Sequence, residues 1–332
     1  MTRPPIPAVE PARRSLLASA ACLLLFAASS PGVVLYSTQF SDPPFSTSSY
    51  KWSGVDGWQA SDPANGTAAV TSDGGAVYLG TVAPAAFPTG AYRHVEIDPI
   101  AAGLPIVKVK TTVAVKDSTN SQYDTFALAV YNRAGDVLCA LLLDNNLQAF
   151  AYDDGSGAKI PGANFTSGAY FPITLTLDFS TQLASAEIEF ADGSAYALFT
   201  NRPFNAAGHA ADLGLVSYLW MANDSAKPGD NALIVDSLSV EALPKPALVI
   251  ANGRTQRTRT ASFTLHGSQS GNARIEWRTP DRKYWTAIDT ASPQWSIKLD
   301  GLQEGRNVVL LRMTDGSGRL IDSEKVLILR RP

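Results

Sequence analysis

The feature that most constrains this chain is the recurrence of short stretches in which apolar and polar residues alternate one for one. "IVKVKTTVAVKD" (106–117) sets Ile106, Lys108, Lys110, Thr112, Ala114 and Lys116 on one side and Val107, Val109, Thr111, Val113 and Val115 on the other. A period of two belongs to a β-strand with one wet and one buried face. "TFALAVYN" (125–132), the turn "RAGD" and "VLCALLLDN" (137–145) read as a hairpin, and "YFPITLTLDFS" (170–180) alternates again. "ASAEIEFADGSAYALFT" (184–200) is a second hairpin, and "LGLVSYLWMAN" (213–223) and "ALIVDSLSVEA" (232–242) follow. No long helical pattern occurs after residue 30. Many short strands separated by Gly, Asp, Asn and Pro predict an all-β chain of sandwich or jelly-roll type.

Charge divides the chain. Its formal net charge of −3 is spread unevenly along 332 residues. Residues 31–244 hold 9 Lys+Arg against 21 Asp+Glu, a net of −12, whereas residues 245–332 hold 15 against 8, a net of +7. The sign changes at "LPKP" (243–246), a proline-stiffened connection. The reading is a first domain over 33–243, a linker at 244–246 and a second domain over 247–332.

The first 30 residues have the layout of an export signal. Arg3, Arg13 and Arg14 precede the apolar "SLLASAACLLLFAA" (15–28), and small residues follow. Roughly 14 apolar residues are short for a membrane span. Residues 1–30 are therefore expected to be removed, with cleavage between about residues 27 and 33. That places the mature protein outside the cytoplasm or on the cell surface, with no stable membrane insertion. Cys139 is then the one cysteine remaining. It sits in the apolar "DVLCALLLDN", where a thiol behaves as a small hydrophobe, so the fold must hold without a disulfide.

The order "TFALAVYNRAGDVLCALLLDN", "YFPITLTLDF", a hairpin, then "ALIVDSLSV" resembles the concanavalin A-like (laminin G-like) jelly roll of many secreted bacterial proteins, over about residues 33–243. The second segment is similar to bacterial immunoglobulin-like domains. Seven short strands from "ALVI" (247–250) to "EKVLILR" (324–330) fit such a sandwich, with the closest match in "LDGLQEGRNVVLLRMTDGSG" (299–318). The expected fold class is thus an antiparallel jelly-roll β-sandwich followed by a smaller immunoglobulin-like β-sandwich.

Chemistry is harder to place. Sugar hydrolysis needs two carboxylates about 5–9.5 Å apart. Glu96 with Asp98, and Glu187 with Glu189, have i, i+2 spacing on strands. The resemblance implies a third acid in catalytic members. Pro99 interrupts the first run where that acid would come, and "EIEFADG" lacks the spacing, so no catalytic residue is assigned. His94, His209 and His266 have no metal-ligand spacing. Calcium, which takes several oxygen ligands, finds loop candidates in Asp144, Asp153, Asp154, Asp224 and Asp230, joined by Asn145 and Asn231. No cofactor is required by this reading. Trp52 with Trp58, and Tyr218 with Trp220, are the candidate sugar-stacking pairs; core packing is the rival role. One of Trp277, Trp285 and Trp295 is expected in the second core. Arg254, Arg257 and Arg259 alternate in "RTQRTRT", which reads first as a solvated face; a basic stripe for an anionic cell-surface polymer, or for the acidic first domain, is the alternative. The expected function is non-catalytic binding of a glycan or cell-surface polymer by the jelly roll, with the second domain as spacer or anchor. A glycoside hydrolase or polysaccharide lyase of the same fold, and a structural envelope protein with no small ligand, are the alternatives. Nucleic acid is not an expected partner of an exported protein.

Overall fold

The computed structural model describes residues 32–45, 53–60, 77–79, 88–189, 194–270, 273–288, 294–314, 318 and 320–332. The export segment and Trp52 lie outside them. The described residues form strands and turns, with no helix long and apolar enough to cross a membrane.

Fourteen strands build the first sandwich: β1 (Val33–Gln39), β2 (Trp58–Ala60), β3 (Val77–Leu79), β4 (Thr89–Ile97), β5 (Ile106–Lys116), β6 (Thr125–Tyr131), β7 (Val137–Asp144), β8 (Ala149–Asp153), β9 (Lys159–Asn164), β10 (Phe171–Asp178), β11 (Leu183–Glu189), β12 (Ala195–Pro203), β13 (Leu213–Met221) and β14 (Ala232–Leu243). They pair antiparallel in two seven-stranded sheets. One runs β1-β14-β5-β10-β11-β12, with β3 also on β14; the other runs β2-β4-β13-β6-β7-β8-β9. This is a jelly-roll sandwich. The face of β5 carrying Val107, Val109, Thr111, Val113 and Val115 is buried, as its alternation predicts. Opposite it, β13 turns Val216, Tyr218 and Trp220 inward.

Eight strands form a second, smaller sandwich: β15 (Leu248–Ile250), β16 (Thr255–Thr258), β17 (Phe263–Gln269), β18 (Arg274–Arg278), β19 (Thr286–Ala287), β20 (Gln294–Leu299), β21 (Gly305–Thr314) and β22 (Leu320–Arg330). Their sheets run β15-β17-β20 and β16-β22-β21-β18-β19, with only β16 and β22 parallel among these pairs. β16 is a strand the alternation does not announce, since Gln256 is its one buried residue. The core of this sandwich is a cluster separate from the first. Trp295 is its buried tryptophan. A Cβ on Gly267 would lie 2.1 Å from the Trp295 ring, so glycine alone fits beneath the indole. Between the sandwiches, the Lys245 Nζ lies 3.6 Å from the Asp178 carboxylate and donates to the Ser180 Oγ at 3.2 Å.

The polar groups inside the first core are paired. Thr111 Oγ1 donates its proton to the Ser237 carbonyl at 2.7 Å, so the Tyr218 hydroxyl, 2.6 Å away, donates to Thr111. Trp58 donates its Nε1–H to the Tyr36 hydroxyl at 2.9 Å, and Tyr36 donates to Asp56 at 2.7 Å. Burial, with the Asp56 bond second, pushes the Tyr36 hydroxyl up to about 12. Cys139 is fully buried and free, and burial pushes its thiol up to about 12, the behaviour of an inert apolar side chain.

Asp124 is 1% exposed and accepts hydrogen bonds from Trp220 Nε1 (2.8 Å), the Gly229 amide (2.9 Å) and the Asn223 amide (3.2 Å). It locks the β13–β14 loop to the start of β6. Removing it strands three donors, at about 1–3 kcal/mol each when buried. Asp124→Ala is therefore expected to lower the unfolding free energy by about 3 kcal/mol in urea denaturation. A loss below about 1 kcal/mol would show that the loop does not depend on this carboxylate.

Candidate functional site

The sequence-derived sugar platform is not on the surface. Tyr218 is 1% exposed, and Trp58 and Trp220 are 0% exposed. Trp58 and Tyr218 do stack, with ring centroids 6.1 Å apart and planes at 17°, but they do so inside the core. The physical reason lies in their polar tips, which find the buried partners described above and so remove the cost of desolvation. Tyr218 and Trp220 share a strand face as the alternation requires; that face is the inner one.

The five aspartates considered for calcium are not brought together. Asp144 accepts from the Asn146 and Leu147 amides, and Asp224 from the Ala226 amide. Asp230 accepts from Ser118, Thr119 and Asn120, and these bonds hold its carboxyl well below the usual range. Asp153 and Asp154, at the far end of β8, cap their own turn through the Gly155, Gly157 and Ser156 amides. Among the described residues no three His, Cys, Asp or Glu cluster as metal ligands. For Asp144, Asp153, Asp154 and Asp224 these are the local bonds that Asp makes in turns, whereas Asp230 ties its loop to residues 118–120. The acid pairs have separate tasks too. Asp98 caps the turn at Ile100 and Ala101, Glu96 lies 3.6 Å from His94 Nδ1, and Glu189 accepts from Thr174 Oγ1 at 2.9 Å.

What the structure assembles instead lies on the outer face of the β2–β9 sheet. Cross-strand register places Gln59, Tyr92, Ser217, Ala129, Ala140 and Asp153 in one row across six strands. The next row along includes Leu215 and Tyr131, and the one on the other side Gly90, Leu219, Ala127 and Leu142. Ala127, Ala129, Ala140 and Leu142 form an apolar cluster of their own, outside the main core, with Tyr131, Leu219 and Met221 packed against it. Ala127, Ala129, Ala140, Leu142 and Ser217 are buried at 5% exposure or less, and Tyr92, Tyr131, Leu219 and Met221 are the half-buried residues of this face.

A cleft of about 210 Å³ opens on the stripe, lined by Pro88, Gly90, Tyr92, Tyr131, Ser217 and Leu219 among others. A Cβ on Gly90 would meet the Tyr218 carbonyl at 2.2 Å, so no side chain fits at that point. Tyr92 and Tyr131 are half-buried and flank Ser217, whose hydroxyl donates to the Ala91 carbonyl at 3.1 Å. The Tyr92 hydroxyl donates to Gln59 Oε1 at 2.8 Å. Burial raises the Tyr131 hydroxyl above its ordinary value, which keeps it a donor. The result is a cleft of apolar residues, Pro88, Leu215 and Leu219 about Gly90, with two phenol rings and the Ser217 hydroxyl.

The opposite sheet offers a cleft of about 190 Å³ among Lys110, Thr112, Thr174 and Glu189. There the polar groups satisfy one another, Lys110 with Glu241 at 3.5 Å and Thr174 with Glu189. Tyr92 and Tyr131 were within reach of the sequence. They are outward members of "AYRHVEI" and "TFALAVY", but alternation does not say which of two faces is outer when both are apolar.

No family model and no curated protein matches the chain. Among solved structures, a sialidase is similar at 11% identity and a TM-score of 0.45 over 65% of this chain, which spans 19% of that enzyme's length. The CBM2 module of the Lactobacillus casei BL23 phage J-1 evolved Dit is similar at 10% identity and a TM-score of 0.43, over 64% of this chain and 97% of the module. Lectin II from Ulex europaeus is similar at 12% identity and a TM-score of 0.41, over 63% of this chain and 99% of the lectin.

If the apolar stripe serves binding rather than folding, its residues are dispensable to the core. Leu219→Ser is expected to cost about 1 kcal/mol or less of stability. Its inward neighbour Trp220→Ala is expected to cost about 3–5 kcal/mol. Equal costs in parallel urea titrations would make the outer stripe part of the fold.

Proposed function

We propose that this is an exported, non-catalytic glycan-binding protein. The outer face of the β2–β9 sheet seats an uncharged sugar chain, and the second sandwich, read as immunoglobulin-like, spaces or anchors it. The observation that carries the reading is the cleft in which Gly90, Leu215, Ser217 and Leu219 lie beside Tyr92 and Tyr131. Sugar rings present C–H faces that pack on apolar and phenolic surface, and hydroxyls that bond to rim groups such as Gln59 and Asp153. A mostly apolar pocket with a few placed polar groups is the usual form of a small-ligand site. Glu96, Asp98 and Glu189 each meet a neighbouring group, His94, the Ile100 and Ala101 amides, and Thr174 in turn, which favours binding over hydrolysis. No metal is needed in this reading.

The test is a panel of neutral polysaccharides titrated against the secreted chain, with calcium and with chelator. Binding is expected to at least one neutral glycan, unaffected by chelator, and to fall at least tenfold in Tyr92→Ala and Tyr131→Ala, about the loss of one stacking contact. Binding that survives both substitutions would remove the site, and glycan cleavage lost on Glu96→Gln or Glu187→Gln would replace binding with hydrolysis.

We also propose that residues 33–243 and 247–332 are independent domains. Two separate apolar clusters and the change of net charge at the linker support this. Calorimetry of the full chain should resolve two transitions; one cooperative transition under all salt conditions would overturn the division.

A further inference from the structure

The smaller sandwich carries a second surface that the sequence placed wrongly. Of the arginines in "RTQRTRT", Arg254 is paired with Glu324, and only Arg257 faces outward from a strand. The charge is instead collected on the outer face of the five-stranded sheet. Register puts Arg306 and Arg257 on either side of Leu329 in one row, and Arg278, Leu310 and Lys325 in another. The next row holds Glu276 and Arg312, and the last Arg274. Six cations therefore share this face with one carboxylate, Glu276, which is 7% exposed. Asp322 and Glu324 are turned to the other side, where they bind the Leu248 amide and Arg254. The outer face of the partner sheet has no such bias: its lysine, Lys298, lies 3.6 Å from Asp300.

The cations are also organised. Glu276 holds Arg312 by two bonds, from Nε at 2.7 Å and from the second nitrogen at 2.6 Å, and lies 3.3 Å from Arg274. The guanidinium carbons of Arg312 and Arg278 stand 4.4 and 4.8 Å from the centroid of the same indole, Trp285. The Arg278 Nε is buried without a hydrogen-bond partner. Stacking on Trp285 and the bonds to Glu276 fix Arg312, and Arg278 Nη1 donates to the Arg282 carbonyl at 3.4 Å, so the exposed Arg257, Arg306 and Lys325 are the cations best placed to meet oxyanions. From Arg306 to Thr314 the face is roughly 27 Å long, at about 3.4 Å per residue.

We propose that this face binds an extended polyanionic polysaccharide, one bearing carboxylate or sulfate groups along its length. The exposed cations spread along the sheet match repeated oxyanions on a linear polymer. The proposal stands apart from the sugar face of the first sandwich and does not depend on it.

The experiment titrates the full chain with heparin, polygalacturonate and neutral dextran, with anionic phosphatidylglycerol vesicles and a DNA duplex as competitors. Both acidic polysaccharides are expected to bind, with affinity falling at least tenfold between 50 and about 300 mM salt as screening shortens the reach of the charges. Dextran should not bind at this face. The exposed triple substitution Arg257→Glu, Arg306→Glu, Lys325→Glu should weaken binding at least tenfold while leaving the melting profile intact. Arg278→Lys, which keeps the charge and removes the guanidinium plane stacked on Trp285, should weaken it severalfold and shift the tryptophan emission. Tyr92→Ala should leave it unchanged. Failure of the native chain to bind either acidic polysaccharide, or full binding by the triple variant, would overturn the proposal. So would tighter binding to vesicles or DNA than to both polysaccharides, which would give the face to those partners.

Discussion

Two sheets facing each other without a covalent tie must be held by what lies between them, and here the centre of that layer is a polar clasp inside an aromatic core. Thr111 on β5 and Tyr218 on β13 meet at 2.6 Å across the space between the sheets, and Thr111 passes its own proton to the Ser237 carbonyl. Trp58 stacks on Tyr218, and Asp124 pins Trp220. Facing sheets sit about 10 Å apart, close enough for one phenol to span the layer. A hydroxyl buried there without a partner would cost about 1–3 kcal/mol, so the clasp fixes the relation of the two sheets as well as their separation. Cys139, fully buried within this core, contributes volume and forms no disulfide.

Once the inner faces are committed to the core, the outer faces are what remain for recognition. They differ sharply. The β2–β9 sheet turns alanines, Ser217, Tyr92 and Tyr131 outward. The five-stranded sheet of the second sandwich turns arginines outward around a single, nearly buried glutamate. An apolar face suits an uncharged ligand with C–H surface, and a guanidinium face suits oxyanions. The chain thus presents two chemically distinct surfaces on one architecture, and the linker at Pro244–Pro246 sets them on separate cores.

Two of the readings that failed share a cause. Tyr218, Trp220 and Trp58 are amphipathic, and a linear pattern cannot tell an indole that meets a sugar from one whose N–H meets Asp124 or the Tyr36 hydroxyl. Asp144, Asp153, Asp154, Asp224 and Asp230 have the composition of a cation site, yet each bonds to amides or hydroxyls of nearby turns. The basic stripe failed in a different way. The true face draws on β16, β18, β21 and β22, which are far apart in the chain and adjacent only through pairing.

The sequence by itself determined, through its alternation, that the chain is all-β and which side of β5 is buried, and through its charged residues where the net charge changes sign, because period, burial and charge are local properties of consecutive residues. It also marked Cys139 as an apolar packing residue. Which aromatics lie inside, which sheet face carries an apolar stripe, and which arginines stand together were decided only by the tertiary structure. Those depend on strand order and register, and a sheet brings residues from distant strands within about 5 Å of one another by hydrogen bonds that leave no trace in the spacing of the sequence.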